Sequence, residues 1–354
     1  MRKVVKSGYI TFADQFFSRL TCHFMDLVPH TMPFARIAGI GSFLPKKVVT
    51  NHDLEASLET TDEWIVSHTG IRERHVVVEG ENCSDLGIEA ARRALEDSGV
   101  SAEKLGLILS STCSGDYVNF PTTACLIQGA LGAVDAGAVE LNAACTGFPY
   151  ALALARGYCI AHQKPVLIVA TEVISRLLDW SDRSTCILFG DGAGAVVLVP
   201  SETPGLVDEV LGADGTAGDA LIRYEGTRFP HGKAVEPTFI EMNGKAIFPF
   251  AVRTMERIIR DVLERNHLQL DEVEHIIPHQ ANRRIIEAVA RHMEVPIERF
   301  FLNIEHVANI SSASVPVALD ELYRGGRIHN GDRILTVGFG AGLTFGGNLL
   351  VWNK

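Results

Sequence analysis

One order of elements is written into this chain twice. In the first pass, apolar periodicity predicts a helix over 85–98, with Leu86, Ile88, Ala90, Ala91, Ala94 and Leu95 on one face. A strand at 107–111 follows, then a helix at 120–131 entered through Pro121, a short strand opening at Ala138, and a turn carrying Cys145. A helix then runs toward Ile160, a strand covers 165–170, and a Gly-rich turn at 189–194 leads into a strand at 195–199. The second pass gives a helix at 250–264, a strand at 275–278, a helix at 281–292, a strand at 300–303 and a turn carrying Asn309. A helix at 311–323, a strand at 333–337, the Gly turn 338–342 and a strand at 348–352 complete it. Repetition on this scale constrains a fold more than any single motif. It predicts two similar α/β halves, 34–204 and 205–354, joined near 200–208. Alternating strands and helices predict largely parallel sheets covered by helices, with chemistry at the strand carboxyl ends.

With 354 residues the chain has room for both halves, and 47% hydrophobic against 21% charged residues supplies a core without disulfides. The seven cysteines (22, 83, 113, 125, 145, 159 and 186) are odd in number and never spaced CxxC. That pattern points away from a disulfide framework or a zinc site and toward a reducing, cytoplasmic setting. A net charge of −11 argues against a nucleic-acid partner. No apolar run reaches the roughly 18 residues of a membrane span. The segment 1–33 stands apart: its apolar residues do not gather into a signal-peptide core, and it reads as an N-terminal extension or a mis-assigned start.

The turn after the strand at Ala138 is the first candidate site. Cys145 lies among Ala143, Ala144 and Gly147, just ahead of a helix whose first turn holds Pro149. Unpaired N–H groups and the positive helix end favour a thiolate there, and a thiolate can take an acyl group. The repeat puts Cys145 and Asn309 at the same position in their halves, with His279 closing the preceding strand. If the halves pack about a pseudo-twofold axis, all three converge on one cleft. Two neutral donors, His279 and Asn309, suit an oxygen that becomes negative.

These residues carry a resemblance. The stretches Asn142-Ala143-Ala144-Cys145-Thr146-Gly147-Phe148, Pro278-His279-Gln280-Ala281-Asn282 and Asn309-Ile310-Ser311-Ser312-Ala313-Ser314 resemble the three catalytic motifs of β-ketoacyl-acyl-carrier-protein synthase III. The likeness covers about residues 35 to 354 and includes Asp62-Glu63-Trp64-Ile65-Val66 and Gly70-Ile71-Arg72-Glu73-Arg74. It implies the thiolase-like fold, with duplicated α/β halves in a five-layered αβαβα arrangement, and a homodimer. It implies an acyl-coenzyme A primer, acetyl-coenzyme A first among them, and malonyl-acyl-carrier protein as extender, both substrates, with no cofactor or metal. By resemblance Cys145 is acylated, and His279 and Asn309 hold the malonyl thioester oxygen. The backbone of Cys145 and of the Gly340, Ala341, Gly342 loop binds the second oxyanion. Trp64 and Arg183 sandwich the adenine with Thr60 nearby, Gly244, Phe248 and Asn282 line the pantetheine tunnel, and Arg284 docks the carrier protein. Phe120 reaches across the dimer to floor the partner's acyl pocket.

Some positions depart from the family pattern. Ala308 stands where Gly is usual, His68 where Arg is common in the coenzyme-contacting helix, and Pro249 where a basic residue is common in docking. A specialised-metabolite condensing or acyl-transfer enzyme would keep the same three motifs. A thiolase would need a second cysteine near the C-terminus, and none follows Cys186. A non-catalytic acyl-binding scaffold should have lost Cys145, His279 or Asn309, and all three are present.

Overall fold

A computed structural model of the chain describes residues 32–225 and 238–354. The extension 1–33 lies outside these residues except for Met32 and Pro33. The first half opens with strand β1 (Phe34–Phe43), a small hairpin of β2 (Lys47–Thr50) and β3 (Glu73–Val76), and between them helices α1 (Asn51–Glu55) and α2 (Asp62–Thr69). Helix α3 (Cys83–Ser98), β4 (Leu107–Ser111), α4 (Thr123–Leu131), β5 (Gly137–Leu141) and α5 (Gly147–His162) follow. The half ends with β6 (Val166–Val173), the short α6 (Arg183–Cys186) and β7 (Asp191–Ser201). The second half runs through β8 (Leu206–Ala213), the two-residue strands β9 (Leu221–Ile222) and β10 (Glu241–Met242), and α7 (Gly244–Arg265). Then come β11 (His275–Pro278), α8 (Arg283–His292), α9 (Ile304–Val307), α10 (Ser314–Arg324), β12 (Arg333–Gly340) and β13 (Thr344–Val351).

The two main sheets have one plan. The first runs β1-β7-β6-β4-β5, and the second, read from the matching end, β8-β13-β12-β11. Orientation matches pair by pair: the first two pairings of each sheet are antiparallel and the next is parallel. These mixed sheets correct the expectation of largely parallel ones. Each half closes by bringing its last two strands side by side in opposite directions, and its first strand then pairs antiparallel with the last. The strand expected at 300–303 is also reduced. Only a single parallel bridge, Ile276 to Phe300, stands where β5 stands in the first half.

Side-chain packing stacks five layers in the αβαβα order. Helix α3 buries Leu86, Ala90, Ala91 and Ala94 against Leu167, Val169, Ala195 and Val197 on the outer face of the first sheet. Their chain neighbours Val166, Ile168 and Val196 face the other way, toward Phe148 and Leu152 of α5 and Val315 and Leu319 of α10. Both faces of β6 are therefore covered, which is why Val166–Ala170 reads as one apolar run. On the far side, α7 and α8 cover the second sheet with Met255, Ile258, Ile286 and Val289. Each such side chain contributes roughly 1.5–3 kcal/mol by leaving water. Helix α3 lies so close to β1 that a Cβ on Gly39 would meet the Ala94 carbonyl at 2.3 Å.

Arg74 fastens the small hairpin to the body. It is fully buried and, among the described residues, has no carboxylate partner. Its guanidinium donates to the Val49 carbonyl (3.1 Å), Asn51 Oδ1 (3.0 Å) and the Ile187 carbonyl (2.8 Å). Burial holds its pKa down at about 10, still far above neutrality. Arg74→Ala strands all three acceptors and should lower the unfolding free energy by about 3 kcal/mol or more, measured by urea denaturation. A change within about 0.5 kcal/mol, the range of ordinary surface substitutions, would show that these bonds do not hold the hairpin.

Candidate active site

The site sits where the two central helices begin. Each is preceded by one 3₁₀ turn, Ala144–Thr146 ahead of α5 and Ser311–Ala313 ahead of α10. Each turn starts on a residue with positive φ, Ala144 at 48° and Ser311 at 50°. Two residues upstream in each case an asparagine accepts the N–H of that residue: Asn142 Oδ1 from Ala144 at 3.1 Å and Asn309 Oδ1 from Ser311 at 2.9 Å. The structural counterpart of Asn309 is therefore Asn142, and that of Cys145 is Ser312. This corrects the expectation that Cys145 and Asn309 are equivalent. They converge because neighbouring parts of the same turn face one another across the two halves.

Cys145, His279 and Asn309 line one cavity of about 110 Å³, together with Gly244, Phe248, Asn282, Phe339 and Gly340. All three are buried, at 7%, 1% and 6% exposure. Gly340 presses on the Cys145 turn, and a Cβ there would meet the Cys145 amide nitrogen at 2.8 Å. Residues 341–343 join β12 to β13 beside that turn, and Thr146 Oγ1 donates to Thr344 Oγ1 at 2.7 Å. Asn309 is gripped on both sides of its peptide: its N–H donates to the Leu188 carbonyl and its carbonyl accepts from Gly190, each at 3.0 Å. With Oδ1 committed to Ser311, the Asn309 amide NH₂ is left to face the cavity.

Electrostatics reverse one expectation. Burial pushes the Cys145 thiol up to about 12. A hydrogen bond with the Ser311 hydroxyl pulls the other way, and the Glu172 carboxylate adds to the rise. The resting nucleophile is a thiol, because loss of water outweighs the helix terminus. Burial also pushes the His279 imidazole down to about 3, so it is neutral at physiological pH.

A second cavity, about 770 Å³, opens on the other side of Cys145 and is bounded by Cys113, Glu140, Asn142, Phe189 and Ser311. Glu172, which sequence reasoning passed over, lies under this wall fully buried. Its carboxylate accepts from Ser312 Oγ (2.7 Å), Ser114 Oγ (2.6 Å), Thr112 Oγ1 and the Cys113 N–H (both 3.1 Å). The signal was available: one acid inside an otherwise apolar strand must find donors in the interior.

The outer candidates fall around the cavity mouths. The Arg183 guanidinium lies over the Trp64 ring at 4.6 Å, so an adenine between them must first part them. Arg183 also donates to the Glu59 carbonyl, and the Thr60 hydroxyl is buried without a partner among the described residues. His68 stacks on Trp64 with ring centroids 4.1 Å apart. Asn282 caps α8 by accepting from the Arg284 N–H at 2.8 Å and donates to the His68 carbonyl at 3.0 Å. The Arg284 side chain is exposed on the first turn of α8, and Pro249 lies inside α7. Phe120 is 84% exposed, beside the segment 117–119 that rims the larger cavity.

Comparison with known proteins follows the same outline. The family description "3-Oxoacyl-[acyl-carrier-protein (ACP)] synthase III C terminal" matches residues 263–352, and the companion "3-Oxoacyl-[acyl-carrier-protein (ACP)] synthase III" matches 139–215. The chain is 46% identical to the β-ketoacyl-[acyl-carrier-protein] synthase III of Xylella fastidiosa over 318 residues, 90% of this chain and 98% of that one. It is 43% identical to the namesake of Clostridium acetobutylicum over 328 residues, 91% of this chain and all of the other. Among solved structures it is similar to the 3-oxoacyl-[acyl-carrier-protein] synthase III of Aquifex aeolicus, with a TM-score of 0.83 and 41% identity over 90% of this chain and 100% of that one. It is also similar to the priming β-ketosynthase of the R1128 polyketide pathway, with a TM-score of 0.85 and 37% identity over 92% and 98%.

Two measurements test the site's physics. Alkylation of Cys145, followed by peptide mass mapping, should speed up about tenfold per pH unit from about pH 7 to pH 10 without a plateau. Saturation near neutrality would mean a depressed thiol. Ala308, directly before Asn309, holds φ 62° and ψ −163°, a region open almost only to glycine. Ala308→Gly should raise the unfolding free energy by about 1 kcal/mol, since relief of strain exceeds the added chain entropy. Lower stability would place the strain elsewhere.

Proposed function

The chain belongs to the β-ketoacyl-[acyl-carrier-protein] synthase III family, a family of condensing acyltransferases that act in fatty acid synthesis, and from that premise we propose how its residues divide the reaction. The observation that carries the division is the shared cavity of Cys145, His279 and Asn309. Acetyl-coenzyme A is the proposed primer and malonyl-acyl-carrier protein the extender.

In the first half-reaction the Cys145 sulfur attacks the primer's thioester carbonyl. The carbon–sulfur bond to coenzyme A breaks, and the thiol proton leaves with the coenzyme thiolate. A thiol held near pKa 12 makes this transfer concerted with bond formation, since little free thiolate precedes it. In the second, the carboxylate–carbon bond of the malonyl group breaks and carbon dioxide departs. The electron pair becomes an enolate, its oxygen held by the neutral imidazole of His279 and the amide NH₂ of Asn309. A protonated imidazole would be drawn toward the malonyl carboxylate, so the depressed His279 pKa favours the oxygen over the group that must leave. The enolate carbon attacks the acyl-cysteine. Backbone N–H groups of Cys145 and the Gly340–Gly342 connection receive the oxyanion, and the Cys145 sulfur departs and regains a proton.

The remaining roles belong to the same proposal. Trp64, Arg183 and Thr60 receive the adenine, and Gly244, Phe248 and Asn282 guide the pantetheine arm. Arg284 meets the acidic carrier protein, and Phe120 closes the larger cavity from a second copy of the chain. The exposure of Phe120 and of the outer edge of β5 supports a homodimer. We place the division between halves at 204/205. No helix of the described residues is long and apolar enough to cross a membrane, and the six described cysteines are unbonded, which supports a cytoplasmic setting.

Intact-protein mass after mixing with acetyl-coenzyme A should show one acetyl group on the wild type and none on Cys145→Ser. His279→Ala and Asn309→Ala should still be acetylated, while their malonyl decarboxylation falls roughly 100-fold or more. Normal decarboxylation with lost acylation in either variant would reverse the assignment. Arg284→Glu should raise KM for malonyl-acyl-carrier protein while acylation changes much less. Equal losses with both substrates would move docking elsewhere.

A further inference from the structure

Neutral His279 has one ring proton and two places to carry it, and only one placement serves the reaction. The ring is 1% exposed and meets the Phe339 ring edge-on at 5.4 Å, and the backbone beneath it is pinned. The His279 N–H donates to the Val337 carbonyl at 2.7 Å, and the next residue, Gln280, donates to the Pro278 carbonyl (2.9 Å) and the Phe301 carbonyl (3.0 Å). Nδ1 lies 2.7 Å from the hydroxyl oxygen of Ser314, the first residue of α10, itself 1% exposed, which leaves Nε2 as the ring nitrogen free for the cavity that His279 lines. The Gln280 N–H approaches that same oxygen at 3.5 Å.

Consider the proton on Nδ1. It would donate to Ser314 Oγ, and the serine hydroxyl would then find no other acceptor among the described residues. A bare Nε2 lone pair would face the cavity, where it repels an oxyanion. Consider it on Nε2. The serine hydroxyl then donates to Nδ1, its oxygen remains open to the Gln280 N–H, and an N–H faces the cavity. Buried polar groups settle into the arrangement that pairs them, so the second placement wins.

We propose that Ser314 is a positioning residue of the condensation: by donating its hydroxyl to Nδ1 it holds His279 as the Nε2–H tautomer that can donate to the enolate oxygen. The inference rests on the donor role proposed above for His279. It also gives the turn before α10 a single task. The Ser311 N–H fixes which end of the Asn309 amide faces the cavity, and Ser314 fixes which nitrogen of His279 does. Both oxyanion donors take their orientation from one short stretch of chain.

The test begins with the wild-type protein labelled with ¹⁵N-histidine, the His279 signals being identified by their loss in His279→Asn. Nε2 should resonate as N–H and Nδ1 as a bare nitrogen. Ser314→Ala should give a mixture of the two forms. Its malonyl decarboxylation should fall about tenfold, less than the loss of a whole oxyanion donor, while acetylation of Cys145 stays within about twofold. Ser314→Thr, which keeps a hydroxyl, should recover both the tautomer and most of the rate. An Nδ1–H form in the wild type overturns the proposal, and so does a Ser314→Ala protein with unchanged tautomer and rate. Should Ser314→Ala fail to fold, the wild-type spectrum still decides. Full decarboxylation by His279→Ala would instead remove the donor role, a failure that the spectrum of the wild type cannot produce.

Discussion

The contact between the two turns that open the central helices underlies everything else in this protein. Gly147, the first residue of α5, stands so close to the opposite turn that a Cβ would come within 3.2 Å of Ser312 Cβ and 1.8 Å of Ser111 Oγ. Ser311 and Cys145 share the wall of the larger cavity, and the Ser311 hydroxyl draws the Cys145 thiol down against the rise from burial. Because each helix is clamped between both sheets by residues such as Phe148, Leu152, Val315 and Leu319, neither turn can retreat. Burial of two helices in the middle layer thus becomes positional precision at one sulfur and two donors.

Much of this was legible from residue order. The recurrence of helix and strand periodicities revealed the duplication, and duplication implied convergence of Cys145, His279 and Asn309. Strand direction was less accessible, since an apolar run such as Val166–Ala170 looks the same whichever way its neighbour runs. Phe300 resembled a strand by composition but has one bridge, because pairing depends on a partner edge that sequence does not display. The equivalence of Asn309 with Asn142 became visible only when the same side-chain-to-N–H bond appeared in both halves.

The thiol is the most instructive reversal. A cysteine ahead of a helix suggests an activated sulfur, and locally the reasoning is sound. What it omits is the surrounding volume: a site with 7% exposure removes the water that would solvate a charge, and Glu172 brings a negative group from another strand. Glu172 in turn organises the wall between the interior and the larger cavity through donors from the loop after β4 and the turn before α10. Such a hub is assembled from residues 60 and 140 positions apart. Only its lone acid in an apolar strand hints at it beforehand.

The buried, protonated state of Cys145 has a consequence for how long the protein lasts. Peroxides and stray electrophiles seek out exposed thiolates, and oxidation beyond the first steps cannot be undone. A sulfur that keeps its proton and its roof in the absence of substrate offers them little. Burial that raises the thiol pKa thereby also shields the nucleophile from chemical wear between turnovers.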